Sequence, residues 1–332
     1  MKVFLTHTAE ELAMYFRWAV APLERLGEVV RNPLDRPPTT AELIAAARDC
    51  DIVVAHRSTP GEAALFDALP NLLALLRPSV DIGTIDLPAA SRNGVLVANA
   101  MATFGPSTAE MALALMLDLA RNVTASALIY RQGGEPPLAM GVQLRGSTAG
   151  IIGYGTIGRC LADILLAMGM RVLVCDPYRR VDKPGIAQVD LDTLLRESDF
   201  VLPLAVPTPQ TENMIDRRAL ALMKPTAFLV NCSRGALVDE AAVAAALDAG
   251  RLAGLGMDVG RGPDQRPSAA LARRPGVVAT PHLGGTTVQA AEPQALSAVE
   301  QVAAILAGEM PPRAINPGDA ARLRAFWRGR AG

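Results

Sequence analysis

The stretch TAGIIGYGTIGRCLADILLAMGMRVLVCDPY, Thr148–Tyr178, decides the fold. Thr148–Ile152 reads as a buried strand, and an apolar helix is expected over Ile157–Met168. Between them Gly153, Gly155 and Gly158 form G-x-G-x-x-G. Gly153 suits a tight turn, Gly155 lets a pyrophosphate approach the backbone, and Gly158 lets the helix pack close on the strand, with N–H donors at its N-terminus. That spacing alone also marks ordinary strand-to-helix turns. The next strand, Arg171–Cys175, adds the second signal because Asp176 follows it, 23 residues after Gly153, where an acid can accept from ribose hydroxyls. A dinucleotide site is therefore expected. An acid there opposes a 2′-phosphate and favours NAD, while Arg179, Arg180 and Lys183 keep NADP as the lesser alternative.

Working outward, the pattern continues as helix 191–196, strand 200–204, strand 227–231, helix 240–249, strand 253–258 and strand 277–280. Upstream, strands are expected at 2–6, 51–55, 71–76 and 95–98, with a helix at 41–48. Thr108–Arg121 is apolar nearly all round and must be buried on most sides. Arg131–Gly141 (RQGGEPPLAMG) reads as an exposed loop. A last helix is expected over 287–307, kinked by Pro293 or shortened at its start. Two α/β units with parallel sheets follow from this alternation.

Composition narrows the function classes. Half of the 332 residues are hydrophobic and the net charge is −1, with both signs interspersed. No basic footprint for nucleic acid or an anionic membrane is present. Cys50, Cys160, Cys175 and Cys232 are scattered among apolar segments, as free thiols in a reducing compartment would be, and no metal-ligand spacing occurs. MKVFLTHTAEE reads as a first strand and not a signal peptide, and no apolar run approaches a membrane span, so the expected location is cytoplasmic.

Candidate catalytic residues lie at strand ends, where parallel α/β sheets gather ligands. His7 and His56 each follow an apolar strand and read as structural histidines. His282 in TPHLGG sits in a polar loop and can transfer a proton near neutral pH. Arg234 in NCSRG can fork onto a carboxylate, although alone it is equally a surface ion-pair partner. Asp258 ends a third strand. A nicotinamide, a carboxylate clamp and a proton-transfer group together specify hydride transfer at a hydroxy or oxo acid.

RST (57–59), TIDLPAAS (84–91), STAEMALALMLDLAR (107–121), GIIGYGTIG (150–158), DPY (176–178), MKPTAFLVNCSRGALVDE (223–240), GMDV (256–259) and TPHLGG (280–285) run nearly the whole length. In that order they resemble the D-isomer-specific 2-hydroxyacid dehydrogenases. The resemblance implies two Rossmann-like or flavodoxin-like domains. A substrate domain, 1–99 plus 286–332, would enclose an inserted NAD domain, 100–285, with a cleft between them. It also implies a homodimer, with the 108–121 helix near the subunit interface, and a small 2-oxo or 2-hydroxy acid as substrate. By the same resemblance Arg234 holds the substrate carboxylate and His282 is the acid/base. Arg57, Ser79 and Val80 contact substrate. Asp258 and the backbone at Cys232 and Ser233 orient the nicotinamide. Thr108, Pro207, Gly284 and Gly285 line the cofactor, together with Gly153, Tyr154, Gly155, Thr156, Ile157, Gly158 and Asp176.

Two departures stand out. The family's catalytic glutamate, five residues after the aspartate, is Pro263 here, and the nearest acid, Asp264, is one position late. The flexible Gly260–Gly262 segment could let Asp264 swing in, although its shorter stem disfavours that rescue. The family's glycine-rich carboxylate loop is RPSVDIGTID, with Pro78, Ser79 and Val80 in it. These changes leave a second reading, an NAD(H)-binding interaction or regulatory protein of the same fold, and a third, altered chemistry on an acid without a 2-hydroxyl. In the tail, ARLRAFWRGRAG, four arginines flank Phe326 and Trp327; a tail packed through its aromatics is expected.

Overall fold

The computed structural model describes residues 1–330, so Ala331 and Gly332 of the tail lie outside the described residues. The chain divides into two compact units, Met1–Thr103 with Val288–Gly332, and Phe104–Thr287. The crossovers fall slightly later in the chain than 99/100 and 285/286.

In the first unit, β1 (Lys2–Leu5), β2 (Glu28–Arg31), β3 (Ile52–Val54), β4 (Ala74–Arg77) and β5 (Leu96–Asn99) form a parallel sheet in the order β2-β1-β3-β4-β5. This is a flavodoxin-like order. β3, β4 and β5 are buried along their whole length, as their continuous apolar runs require. β2 is half-exposed at the sheet edge and flanked by Glu28 and Arg31, so it carries no apolar run for a sequence reading to find. The chain's two ends meet here. Ile315 N–H donates to the Val97 carbonyl at 2.8 Å, and the buried Asn316 side chain bonds Val97 N–H (2.8 Å) and Val95 O (3.0 Å).

Helix Val288–Ala307 runs through Pro293 and is not shortened at its start. Its buried stripe of Ala290, Ala295, Ala298, Val302 and Ile305 outweighs the one N–H that proline removes. The tail forms helix Ala321–Arg330, packed through Leu323, Phe326 and Trp327, whose indole N–H donates to Ile305 O at 2.7 Å. Arg322 donates to the carbonyls of Leu69 and Leu72.

In the second unit, β6 (Thr148–Ile152), β7 (Arg171–Cys175), β8 (Ile186–Gln188), β9 (Phe200–Pro203), β10 (Phe228–Asn231), β11 (Gly254–Met257) and β12 (Val277–Ala279) are all parallel. Their order is β8-β7-β6-β9-β10-β11-β12, a doubly wound dinucleotide-binding sheet with a seventh strand. The helix expected from Thr108 starts at Gly105, because Pro106 in its first turn needs no N–H partner, and it ends at Asn122 with φ 53°. Eight of its seventeen residues are buried, so it is covered less completely than its apolar sequence requires, and Leu117 on it is 38% exposed. Further exposed large apolar side chains follow at Val123, Leu128, Tyr130, Leu138 and Met140.

His7 follows β1 and is 1% exposed, stacked on Phe16 at 4.5 Å between centroids, with no hydrogen-bond partner at Nδ1. Burial, with His56 and Arg77 nearby, lowers its pKa well below the ordinary 6.5. The unfolded chain therefore binds this proton at a pH where the folded one does not. Stability should fall as pH drops below about 6.5, by at most about 1.4 kcal/mol per pH unit for one group. In urea titrations at neutral and mildly acidic pH, His7→Asn should show a smaller acid loss than wild type; equal losses would contradict this.

Candidate active site

β6 delivers Gly153 with φ of 100°, a conformation L side chains rarely adopt, and a Cβ there would meet Ala205 N at 2.8 Å. On Gly158 a Cβ would lie 2.3 Å from the Gly153 carbonyl oxygen, so the helix Thr156–Ala167 packs as close as glycine permits. Beside Gly155 a Cβ would meet nothing within 4 Å. That open cradle faces the first turn of the helix, opened by Thr156 and Ile157, where N–H groups lack intrahelical acceptors.

Asp176 ties the cradle together. Its carboxylate accepts from the N–H groups of Tyr154 (2.7 Å), Tyr178 (2.8 Å) and Arg179 (3.0 Å). Three of its roughly four acceptor positions are taken, leaving room for one ribose hydroxyl. The Tyr154 N–H is committed to Asp176, and the residue, 8% exposed, packs into the core. Pro207 lies exposed in the loop after β9. Of the cations beyond Asp176, Arg180 pairs with Asp182 at 2.8 Å and Lys183 with Asp163.

At the tip of β10, Asn231 folds NCSRG into a knot. Its buried side chain donates to Arg234 O (2.9 Å) and accepts from Ser233 N–H (3.1 Å). Ser233 Oγ donates to Ala205 O at 3.2 Å. Arg234 is half-buried, with Nη1 donating to Ser233 O at 2.8 Å. The Cys232 side chain turns into the core, and burial pushes its thiol pKa up, so it is not a nucleophile. Asn231 was missed by the sequence reading, although an Asn two residues before a bend is a recognisable Asx-turn signal.

Asp258, directly after β11, is 1% exposed and its carboxylate serves the loop that carries His282. It accepts from Thr280 Oγ1 (2.6 Å), Leu283 N–H (2.7 Å) and Gly284 N–H (2.7 Å). His282 N–H donates to the Asp258 carbonyl at 2.9 Å, and His282 itself is left-handed, with φ 62°. Asp258 therefore holds the histidine loop first, and Gly284 acts on it through its amide. Gly285 sits against Phe104, and Thr108 is 4% exposed beside Gly284.

The loop after Asp258 is closely packed. A Cβ on Gly235 would lie 2.2 Å from the Gly260 carbonyl carbon, and one on Gly260 would lie 2.6 Å from Pro267 Cα. These glycines allow close approach of the backbones. Arg261 fans onto Glu212 (2.7 Å), Asn213 (2.6 Å) and Ala236 O (3.0 Å), while Glu240 accepts from Arg261 N–H (3.0 Å) and Ser268 Oγ (2.6 Å). Pro263–Gln265 forms a short turn with Asp264 at φ 54° and Gln265 at φ 58°. The peptide carbonyl of Asp264 lies 3.0 Å from His282 Nδ1. Glu240 and Arg261 carry no local signal of this role, since their partners lie about 20 to 50 residues away.

The family model described as D-isomer specific 2-hydroxyacid dehydrogenase, NAD binding domain, matches residues 113–284. A glyoxylate reductase of Korarchaeum cryptofilum is 35% identical over 291 residues, 85% of this chain and 87% of that protein. The chain belongs to the D-isomer specific 2-hydroxyacid dehydrogenase family. A D-3-phosphoglycerate dehydrogenase of Mycobacterium bovis is 35% identical over 304 residues, 90% of this chain but 57% of that protein, so the chain spans little more than half the length of that relative. Among solved structures, D-lactate dehydrogenase with NAD+ from Lactobacillus jensenii superposes with a TM-score of 0.80 at 25% identity, covering 95% of this chain and 99% of that one.

In the first unit, the fully buried Arg77 organises the loop that bears Arg57. It donates to the carbonyls of His56 (2.9 Å), Arg57 (2.5 Å) and Thr59 (2.7 Å), and burial lowers its pKa to about 10. Arg57 is half-buried. Ser79 N–H donates to Arg77 O at 2.7 Å. Val80 is held through its carbonyl by Asn99 Nδ2 at 2.9 Å. An arginine closing an otherwise apolar strand, ALLR, is the signal that could have found Arg77.

Asp258→Asn would turn an NH2 toward an N–H or hydroxyl donor inside the protein. We expect a loss of about 2–3 kcal/mol in urea unfolding, together with faster exchange of the Leu283 and Gly284 amides. Wild-type stability with unchanged exchange would contradict the assigned brace.

Proposed function

We propose that this chain is an NAD-dependent oxidoreductase acting at C2 of a small 2-hydroxy or 2-oxo acid, of D configuration in the hydroxy form. The observation that carries this reading is the pair of braced strand tips: Arg234 on the knot after β10 and His282 on the loop held by Asp258. Family membership supports the reaction type. The names of the relatives, glyoxylate reductase, D-3-phosphoglycerate dehydrogenase and D-lactate dehydrogenase, support a small acid with an oxygen at C2.

The chain's residues fit NAD. The open space beside Gly155 and the first-turn amides at Thr156 and Ile157 suit a pyrophosphate. Asp176 has one acceptor position left for a ribose hydroxyl and would repel a 2′-phosphate, so NAD is proposed over NADP. When bound, the cofactor accepts or supplies the hydride.

Arg234 forms charge-assisted hydrogen bonds with the substrate carboxylate and withdraws charge from the C2 oxygen. His282 takes the hydroxyl proton during oxidation and returns it during reduction. Buried Asp258 limits the movement of that imidazole. In the first unit, Arg57 and Val80 N–H are proposed as further donors to an anionic substrate. A homodimer is also proposed, because Val123, Leu128, Tyr130, Leu138 and Met140 present apolar surface that a second copy would cover. The second reading, an NAD(H)-responsive interaction protein, draws on Pro263 at the glutamate's position.

Arg234→Ala separates these readings. NADH binding, followed by fluorescence, should be nearly unchanged, while kcat/KM for the best 2-oxo acid should fall by at least about a hundredfold, a loss of roughly 3 kcal/mol. Retained turnover would remove Arg234 from the carboxylate clamp.

A further inference from the structure

We propose that the main-chain carbonyl of Asp264 is the positioning group for His282, standing in for a side-chain carboxylate. This rests on His282 being the proton-transfer group. A carbonyl oxygen only accepts, so a hydrogen bond at 3.0 Å requires the proton on Nδ1. In the neutral ring the lone pair is then on Nε2, the nitrogen that must receive a substrate proton.

The carbonyl is aimed by backbone geometry. Asp264 has φ 54° and ψ 32°, and Gln265 has φ 58°. Two consecutive left-handed residues without glycine persist only when their surroundings enforce them. Here Gly260 N–H donates to Gln265 O (2.8 Å), Gly262 N–H to Arg266 O (2.9 Å) and Arg266 N–H to Pro263 O (3.1 Å). Arg261 and Glu240 fasten the base of the turn to Glu212, Asn213 and Ser268. On the other side His282, itself left-handed, is fixed through its N–H to Asp258 O and Thr280 O. Three left-handed residues thus converge on one hydrogen bond, and both ends of that bond are anchored in the same unit.

A carbonyl sets the tautomer and orientation of the ring through a neutral acceptor. Because the acceptor is a main-chain atom, the device depends on the turn and not on the Asp264 side chain.

The test uses the full-length chain with 15N-histidine and reads ring-nitrogen shifts by long-range proton–nitrogen NMR. Only three histidines are present, and His282→Gln assigns the signal. Neutral His282 should be the Nδ1–H tautomer. Asp264→Asn and Asp264→Gly, which accept the left-handed turn, should keep that signature. Asp264→Val, whose β-branched side chain resists the turn, should let the Nε2–H form appear and lower kcat by more than about tenfold with KM changed by less than about threefold. An Nε2–H wild type would overturn the proposal. So would Asp264→Asn losing the signature as Asp264→Val does, because that outcome assigns the role to the carboxylate. If the Nδ1–H tautomer is found but no 2-oxo acid turns over, the positioning device stands and the dehydrogenase reading fails.

Discussion

The buried carboxylate of Asp258 accepts three short hydrogen bonds from Thr280, Leu283 and Gly284, and the rest of the site depends on that convergence. The strand ends leave the sheet without ladder partners, so the loops they carry need other acceptors and donors to hold them. Asp258 supplies them for the histidine loop, and Asn231 does the same for the arginine loop one strand away. Two buried polar side chains at neighbouring strand tips thereby convert flexible connections into fixed supports for Arg234 and His282. Neither residue has to touch a substrate for this effect.

Much of the fold was legible because buried parallel strands must be apolar along their whole length. β6 and β7 were readable to the residue, and the glycines at 153 and 158 answer two separate steric demands. The edge strands β2 and β8 were not legible, since half-exposed strands may carry charge and mimic loops. The helix expected over 108–121 starts a turn earlier, at Gly105, where Pro106 stands in its first turn, and ends at Arg121 as expected, before the left-handed cap Asn122.

The site was legible at its tips and not beneath them. Arg234, His282 and Asp258 sit at strand ends that periodicity locates. The supports, Arg77 under Arg57 and Arg261 with Glu240 under the Pro263 turn, act across about 20 to 50 residues of chain and leave no local pattern. The Gly260–Gly262 segment shows the limit most plainly. Glycine in sequence suggests freedom, whereas here it permits the backbones of Gly235, Gly260 and Pro267 to touch. A proline at the glutamate's position therefore does not leave the histidine without a brace; the brace comes from the peptide chain.

The account centres on hydride transfer to C2 of a 2-oxo acid, and isotopic transfer tests it most directly. The full-length chain would be incubated with NADH deuterated at the transferable position and a panel that includes glyoxylate, pyruvate and hydroxypyruvate. The products would then be resolved by mass and by chirality. The account predicts one deuterium at C2 and, for a chiral product, the D isomer. Binding of NADH with no deuterium in any product would contradict it.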